Sequence, residues 1–515
     1  MKKNIYVAIV GVLILSGCSD FLDRNPMSDL SPTNYFQDKA EMSNWNAGIY
    51  DAFQSALSQK QILYGDVRSD NVHTTGYATS WIYTNALLPD KNECSWEPFY
   101  QAITRANVGI ENYPKIPNIL ESEYAPYIGQ CYAMRALMYY WGTRVWGKMP
   151  IVTKSWDGSL DNIAVPRASL EEVKTQIMND INDAIKYFRI SNTSSKIYLG
   201  LEAMYALKME AHMWYFEYKE AIETSNYFMN NKNFELAKDA TEWKQMFLNP
   251  ESSKEVIFAM DWNFEADKAN SGWPGQLGAS NTNNGFQLSR EIYNEFIDRR
   301  DSGEGSDSRF ANMLDTVKLY YQNGRLPLTY ATYDIGSGKG IEKCTKYCGI
   351  DDTREYDSDK QVFKTYYKLL DTNLCEQKLV FFRLSNILLL RAEALNQLDR
   401  GSEALDIVNE IRKRAGYLKD VYTEVSANTK RDVESAILLE RQLEFYGEGQ
   451  RWFDLMRTGR LIEVMDPVYS ARQAIGGATI TGFGNEGTKY WPINYREFES
   501  NSALHQDQNV PYNER

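Results

Sequence analysis

Apolar and polar residues alternate with helical periodicity over most of the chain. From Tyr35 to about residue 260, and again after residue 373, apolar side chains recur every three or four positions. This is the spacing of one buried face of an α-helix. The clearest stripe lies within residues 386–411 and consists of Ala404, Ile407, Val408 and Ile411. The pattern predicts a mainly α protein.

One pattern of small and apolar residues occurs twice. Leu207 and Ala211 precede Ala221, and Leu390 and Ala394 precede Ala404 at the same offsets. Small residues at fixed places in two helices joined by a tight turn let the helices pack closely, as in tetratricopeptide hairpins. We predict two such hairpins here. Two further candidate pairs are 124–146 with 170–188, and 41–57 with 96–112.

Residues 261–372 break the helical periodicity. This stretch is rich in Gly, Asn, Asp and Tyr, a composition typical of loops and turns. We predict loops with short strands folded onto the helical body. The predicted architecture therefore packs tetratricopeptide-like helical hairpins against a loop-rich half.

The N-terminus has the pattern of an export signal. Lys2 and Lys3 precede the apolar run 5–14, which is too short to span a bilayer permanently. The following Leu-Ser-Gly-Cys, ending at Cys18, resembles the lipobox of bacterial lipoproteins. We expect lipid on Cys18 to anchor the mature protein, because several acyl chains together bind a membrane stably. A secretory signal with an incidental cysteine is the alternative.

These patterns divide the chain into five segments. The predicted boundaries are 1–17 for the signal peptide, 18–34 for a lipidated tether, 35–260 for an N-terminal helical region, 261–372 for a loop-rich variable region, and 373–515 for a C-terminal helical region.

Charge and length exclude several classes of partner. The 515 residues carry a formal charge of −13, and removal of Lys2 and Lys3 with the signal takes it to −15. Such acidity argues against nucleic acid and against electrostatic docking on anionic lipid. After the signal, no apolar run reaches the length of a membrane span. We therefore expect membrane contact through the lipid anchor alone.

The cysteines give no disulfide framework. Five remain besides Cys18, and an odd number cannot pair completely. They are Cys94, Cys131, Cys344, Cys348 and Cys375. Cys344 and Cys348 could form a local bridge, but their spacing does not match a C-x-x-C zinc or redox motif. We expect loop cysteines that are either unpaired or locally paired.

Common catalytic motifs are absent. No H-E-x-x-H occurs, and no serine has glycines two residues before and after it. The turn 336–340 lacks the first glycine and the Ser/Thr of a P-loop. We expect no cofactor and no resident metal. A glycosidase carboxylate pair stays open, because only geometry identifies one. Acidic loops such as Asp301–Asp307 are interpreted as solvated rather than calcium-binding.

Residues 438–455, Leu-Leu-Glu-Arg-Gln-Leu-Glu-Phe-Tyr-Gly-Glu-Gly-Gln-Arg-Trp-Phe-Asp-Leu, closely resemble the C-terminal hallmark of SusD-like (RagB/SusD) proteins. Further pieces match in the family's order. They are the lipobox running into residues 19–22, Gly65–Asn71, Tyr139–Trp141 through Pro150, Arg383–Leu384 through Ala394, and Tyr490–Ile493.

The resemblance implies a location and a partner. SusD-like proteins are surface lipoproteins of Gram-negative outer membranes without enzymatic activity. They capture glycans, or peptides in some branches, and act as a hinged lid on a SusC-like TonB-dependent β-barrel transporter. The repeats usually face the transporter, while the loops bind the ligand.

The resemblance also implies a ligand site. In starch-type members an aromatic-x-aromatic pair with a nearby Asn and an upstream Arg forms the glycan cradle. The corresponding residues here are Trp81, Tyr83, Asn85 and Arg68, with both rings expected on one side of an extended segment. Sugars present patches of C–H that lie well on aromatic faces. Further candidates are Trp262, Trp273 and Phe286, each of which could instead fill the core under its loop.

Other residues are assigned to structure. Trp96, Trp141, Trp146, Trp214 and Trp452 lie on helical faces and are predicted to be core. Arginines at 441, 451 and 457 are expected to neutralise the acids at 440, 444, 448 and 454 within the hallmark. The alternatives to glycan capture are a peptide-binding member of the family, a surface glycoside hydrolase, and a repeat scaffold that binds only protein.

Overall fold

The computed structural model describes residues 35–73, 80–155, 164–191, 194–267, 286–313, 346–347, 354–357, 362–365, 377–425, 429–505 and 507–512. Helices dominate this part of the chain, which confirms the mainly α prediction. The helices before residue 270 are α1 Lys39–Leu57, α2 Lys60–Ile62, α3 Ser80–Tyr83, α4 Glu97–Asn112, α5 Glu121–Trp146, α6 Leu170–Ser191, α7 Leu201–Trp214, α8 Tyr218–Met229, α9 Ala240–Leu248 and α10 Phe264–Asp267.

Eight further α-helices follow residue 289 among the described residues. They are α11 Arg290–Asp301, α12 Ser308–Met313, α13 Leu384–Gln397, α14 Gly401–Arg414, α15 Lys430–Glu444, α16 Arg451–Arg457, α17 Leu461–Ile475 and α18 Tyr495–Ser500. The strands form three antiparallel pairs: β1 Val72–His73 with β3 Gln287–Leu288, β2 Val256–Met260 with β6 Leu379–Arg383, and β4 Arg354–Asp357 with β5 Val362–Thr365. None of the described helices is long and apolar enough to cross a membrane.

The four predicted helix pairs are present and each pair packs together. They are α1 with α4, α5 with α6, α7 with α8, and α13 with α14. The small residues at the repeated offsets, Ala211, Ala221, Ala394 and Ala404, are all buried. Ser169 caps the start of α6: its hydroxyl accepts from Glu172 N, and the Glu172 carboxylate accepts from Ser169 N. Whether these pairs are tetratricopeptide repeats remains a prediction.

The turns that follow α7, α13 and α16 have the same hydrogen bonds. After α7, Tyr215 N donates to Ala211 O and Glu217 N to His212 O. After α13 the acceptors of the same two bonds are the carbonyls of Ala394 and Leu395, and after α16 they are those of Asp454 and Leu455. Each turn places one residue in the left-handed region, at Phe216, Asp399 and Gly459. The bonds satisfy carbonyls at the helix end that would otherwise lack donors.

The prediction that residues 261–372 lack helix is wrong for part of that stretch. Helix α11 begins at Arg290, with Ser289 as its N-cap, and buries Ile292, Tyr293, Phe296 and Arg299. Only four of its twelve residues are buried, and its other positions are mostly charged, so the composition concealed the periodicity. Asp307, expected in a solvated loop, is also buried.

Gly65, in the first part of the described chain, packs directly against Gly449, in its last part. A Cβ on Gly65 would lie 1.9 Å from Gly449 O, so no side chain fits there. The neighbouring Asp66 carboxylate accepts from Gly449 N at 2.6 Å. Arg451 donates to both oxygens of Asp70, at 2.8 and 2.9 Å. The hallmark segment is therefore fastened to the residues that lead into the predicted cradle.

Candidate functional site

The turn that carries the two predicted rings is helical, not extended. Helix α3 covers Ser80–Tyr83, and Ala86 N closes it by donating to Trp81 O at 2.7 Å. Asn85 follows with φ +61, a conformation that Asn tolerates better than most residues. Residues two apart on a helix point about 200° apart. The expectation that Trp81 and Tyr83 lie on one side of an extended segment is therefore wrong.

Arg68 is fully buried behind this turn. Its guanidinium donates to Asn85 Oδ1 at 3.0 Å and to the carbonyls of Thr488 and Lys489. It lies 3.9 Å from the ring centroid of Trp452, a favourable cation–π distance. Burial lowers the pKa of Arg68. The prediction that Arg68 contacts the ligand is corrected, because no part of it reaches the surface; it positions the turn instead.

Asn85 is also used internally. Its Nδ2 donates to Phe483 O at 3.0 Å and to Thr488 Oγ1 at 3.1 Å, while its Oδ1 accepts from Arg68. The Nδ2 end of the amide therefore ties the turn to Phe483 and Thr488, and the Oδ1 end ties it to Arg68. The side chain is half-buried and both amide hydrogens are used, so towards a ligand Asn85 can only accept, through the remaining lone pair of Oδ1.

Trp81 and Tyr83 are half-buried and face different neighbours. Trp81 meets Trp491 edge-on, with ring centroids 5.9 Å apart. Tyr83 lies under the Arg472 guanidinium at 3.8 Å, and its hydroxyl is 3.1 Å from His73 Nδ1. Burial, reinforced by Arg472, lowers the pKa of His73. Sequence reasoning missed Arg472 and His73, whose roles arise only when α17 and β1 come together.

Tyr83 borders a cavity of about 340 Å³, which we call the Tyr83 pocket. Its wall combines exposed charged side chains from α11, Arg290 and Glu291, with the exposed Ile475 of α17. Arg472 is buried and donates to the carbonyls of Ser69, Val72 and Tyr83, so its stacking position is fixed. One ring beside mixed polar groups suits a hydroxyl-rich ligand.

Trp262 belongs to a different cavity, the Trp262 groove, of about 440 Å³. The Trp262 side chain is only 8% exposed, and exposed polar residues of α1 and of the turn near Asn92 surround it. The lining residues include Asp51, Gln54, Ser55, Gln59, Asn92 and Asp267. The groove shares no lining residue with the Tyr83 pocket.

The other predicted contacts divide into core and undescribed residues. Phe286 is 4% exposed and lies in the core, so its prediction as a ligand contact is corrected. Trp273 and Cys18 lie outside the described residues. Cys94 and Cys131 are buried free thiols, and the remaining cysteines also lie outside. Trp96, Trp141, Trp146 and Trp452 are buried as predicted, whereas Trp214 is only partly buried.

The acids of the hallmark are ion-paired inside the protein. Glu440 lies 3.1 Å from Arg299, 2.6 Å from Arg309 and 3.2 Å from Arg412. Burial alone would raise the pKa of Glu440, but the three arginines outweigh it and lower that pKa to about 2. Glu444 pairs with Arg309, Arg383 and Arg414, and its pKa is also lowered. We call these residues the ionic cluster.

The predicted partners within the hallmark are used differently. Arg441 and Arg457 both pair with Asp454, and Arg451 pairs with Asp70. The cations on Glu440 and Glu444 come instead from α11, α12, α14 and the end of β6. The sequence carried no signal for these distant pairs beyond the presence of the arginines.

Comparisons with known proteins agree with the hallmark resemblance. A model of the SusD family matches residues 227–512, and a second one, described as "Starch-binding associating with outer membrane", matches residues 20–207. The SusD-like protein P38 of Formosa agariphila is 28% identical over 542 residues, covering 99% of each chain.

Solved structures share the fold. A SusD-like protein of Bacteroides fragilis is 18% identical with a TM-score of 0.70, covering 95% of this chain and 100% of its own. A laminarin binding SusD-like protein is 21% identical with a TM-score of 0.68, covering 93% and 100%. Because the family model matches more than half of the residues and the fold agrees along the chain, this protein belongs to the SusD family.

Proposed function

We propose that the protein captures oligosaccharides at the outer surface of the outer membrane and delivers them to a SusC-like TonB-dependent transporter. The observation that carries the proposal is a pair of half-buried rings, Trp81 and Tyr83, on a turn whose polar groups are tied down from behind. The family description, which names starch binding and the outer membrane, and a laminarin binding structural neighbour support this ligand class.

The chemistry of sugars fits such a turn. Aromatic faces bind the C–H patches of a pyranose ring, and surrounding polar groups bind its hydroxyls. The tie from Arg68 to Asn85 holds the rings in place before the ligand arrives, which reduces the entropy lost on binding. We assign no catalytic residue, and the buried ion pairs of Glu440 and Glu444 leave neither carboxylate free for acid–base work.

A binding panel tests the ligand class. The soluble body, beginning at Ser19, is titrated with oligosaccharides and peptides, and Tyr83→Ala and Trp262→Ala variants identify the cavity. We expect oligosaccharide binding that weakens about tenfold, or about 1.4 kcal/mol, in the variant that loses the ligand-facing ring. Binding of peptides alone would contradict the proposal and favour the peptide-binding branch. Turnover of a polysaccharide would favour a glycoside hydrolase.

The anchor is tested separately in cells. We expect Cys18→Ala to prevent lipidation and to release the protein from the membrane fraction, whereas Ser19→Ala leaves it there. Accessibility to an added protease on intact cells then tests outward orientation. An acyl-labelled, membrane-bound Cys18→Ala variant would contradict the anchoring proposal.

A further inference from the structure

Three exposed apolar side chains surround a further groove, which is built mainly by other helices than the predicted cradle. The groove has a volume of about 420 Å³ and lies between the start of α6, the α7–α8 turn, the α16–α17 turn and residues 486–490. Leu170 is 42% exposed, Phe216 58% and Ile462 42%, and all three line it. Trp214, Tyr215 and Tyr490 are its aromatic lining. We call it the Phe216 groove.

Phe216 occupies a backbone position that its residue type disfavours. Among the described residues, the non-glycine residues with left-handed φ are Asn85, Asn118, Phe216, Asp399 and His505. Asn, Asp and His are the types that tolerate this region, whereas a bulky aromatic residue is an outlier there. The equivalent turns use Asp399 and Gly459. Local folding therefore gives no reason for phenylalanine at this place.

The neighbouring residues give no reason for it either. Phe216 is more than half exposed, and its one ring contact is a tilted one with Tyr218 at 6.4 Å among the described aromatic pairs. A strained backbone that supports an exposed apolar side chain indicates a role outside the folded monomer. The apolar neighbours Leu170 and Ile462, which come from other helices, extend the same surface.

The charges at the rim indicate the kind of partner. The carboxylates of Glu171 and Glu486 are 77% and 71% exposed, whereas the cations near them, Lys174 and Lys489, are 20% and 36% exposed. Lys174 is 2.7 Å from Glu217 and 3.6 Å from Glu171, so it belongs mainly to Glu217. The groove thus has an apolar floor and an acidic rim.

We propose that the Phe216 groove docks a polypeptide segment of the transporter that carries apolar side chains flanked by Lys or Arg. The inference rests on the proposed function, which supplies the transporter as partner. Leu170, Phe216 and Ile462 are exposed aliphatic or phenyl groups with no hydrogen-bonding capacity, so they gain by being covered with apolar side chains. A polypeptide can bury those groups and pair its cations with the exposed carboxylates.

Binding to the detergent-solubilised transporter tests the groove. We expect Phe216→Asn to weaken that binding at least tenfold, while the melting temperature stays within about 2 °C, because Asn tolerates the left-handed conformation. Leu418→Asn is the matched control, since Leu418 is 64% exposed and does not line the groove. Should Phe216→Asn unfold, Ile462→Gln tests the same surface. Glu171→Lys should weaken binding at low salt and approach the wild type at high salt.

The outcomes separate the two proposals. A Phe216→Asn protein that binds the transporter like the wild type overturns the groove and leaves the proposed function standing. A wild type that binds no transporter under several mild detergents overturns the delivery step and the groove with it. Loss of transporter binding with unchanged oligosaccharide binding supports the groove, because it separates docking from ligand capture.

Discussion

Two buried polar clusters of this protein both contain arginine, but the arginines have charged partners in one cluster and neutral partners in the other. In the ionic cluster, arginines meet carboxylates, and Glu440 alone contacts Arg299, Arg309 and Arg412. In the Arg68 cluster, the guanidinium meets an amide, two carbonyls and the face of Trp452, and no ion pair of the described residues includes it.

The ionic cluster holds helices of the fold together, whereas the Arg68 cluster supports the turn that carries Trp81 and Tyr83. The ionic cluster joins α11, α12, α14 and the end of β6 to α15, and every charge in it has a countercharge. The Arg68 cluster lies directly behind the turn that carries Trp81 and Tyr83, which we call the ring turn. Its guanidinium donates only to neutral oxygens. A buried cation held by dipoles and ring faces can therefore shape a binding turn without a fixed carboxylate beside the ligand.

The largest expected effect comes from breaking the ionic cluster. Glu444→Gln leaves Arg309, Arg383 and Arg414 without full compensation inside the protein. Removing one partner of a buried ion pair costs about 3–5 kcal/mol, which we expect as the loss in unfolding free energy measured by urea titration. Glu403→Gln, in the exposed pair with Arg400, is the control and should leave the unfolding free energy nearly unchanged, because solvent screens that pair. Equal losses would contradict the comparison.

Acid should weaken the ionic cluster as well. The folded pKa of Glu440, about 2, lies below its ordinary 4.5, so its contribution is present above pH 4.5 and is lost as the pH falls toward 2. The difference corresponds to about 3 kcal/mol. We expect the unfolding free energy to fall through this window, and Glu440→Gln to flatten that part of the profile. An unchanged slope in the variant would assign the acid sensitivity elsewhere.

Breaking the Arg68 cluster should cost less stability but affect the ligand. Arg68→Met leaves Asn85 Oδ1 and two carbonyls without their donor, while it also removes a buried unpaired charge. We expect a net loss of about 2 kcal/mol in unfolding free energy together with weaker oligosaccharide binding. Arg400→Met serves as the surface control. Unchanged binding in Arg68→Met would show that the turn does not need its support.

The smallest expected effect concerns Trp81. Because the ring is half-buried against Trp491, Trp81→Ala should lose about 1–2 kcal/mol of stability, less than the 3–5 expected for a fully buried Trp. If its free face binds sugar, affinity falls about tenfold, or about 1.4 kcal/mol. Calorimetric titration and thermal melting on the same samples measure both. Full affinity in the variant would move the ligand to the Tyr83 pocket or the Trp262 groove.

The parts of this fold that repeat locally could be predicted from sequence. The helix pairs follow from apolar periodicity and from alanines at equal offsets, and Ala211, Ala221, Ala394 and Ala404 are all buried. These signals lie within about 20 residues of one another, so no knowledge of distant contacts was needed.

The site could be predicted only in part. Arg68, Trp81, Tyr83 and Asn85 do come together, but the residues that decide their roles, such as Thr488 and Arg472, lie about 400 residues away. A four-residue helix such as α3 is too short for periodicity to reveal, so the direction of its rings was misjudged. The cations of the ionic cluster were missed for the same reason of distance.

The contact between Gly65 and Gly449 has a consequence for the order in which the protein folds. The donor to the Asp66 carboxylate lies 383 residues downstream, and the acceptors for Asn85 Nδ2 are Phe483 and Thr488. Such long-range closure is slow and comes late in folding. The ring turn, although it is made early by the ribosome, cannot take its final form until the last segments have arrived. A chain that stops short of residue 483 therefore lacks the support of a turn near its beginning, so the proposed ligand capture would require the C-terminal segment.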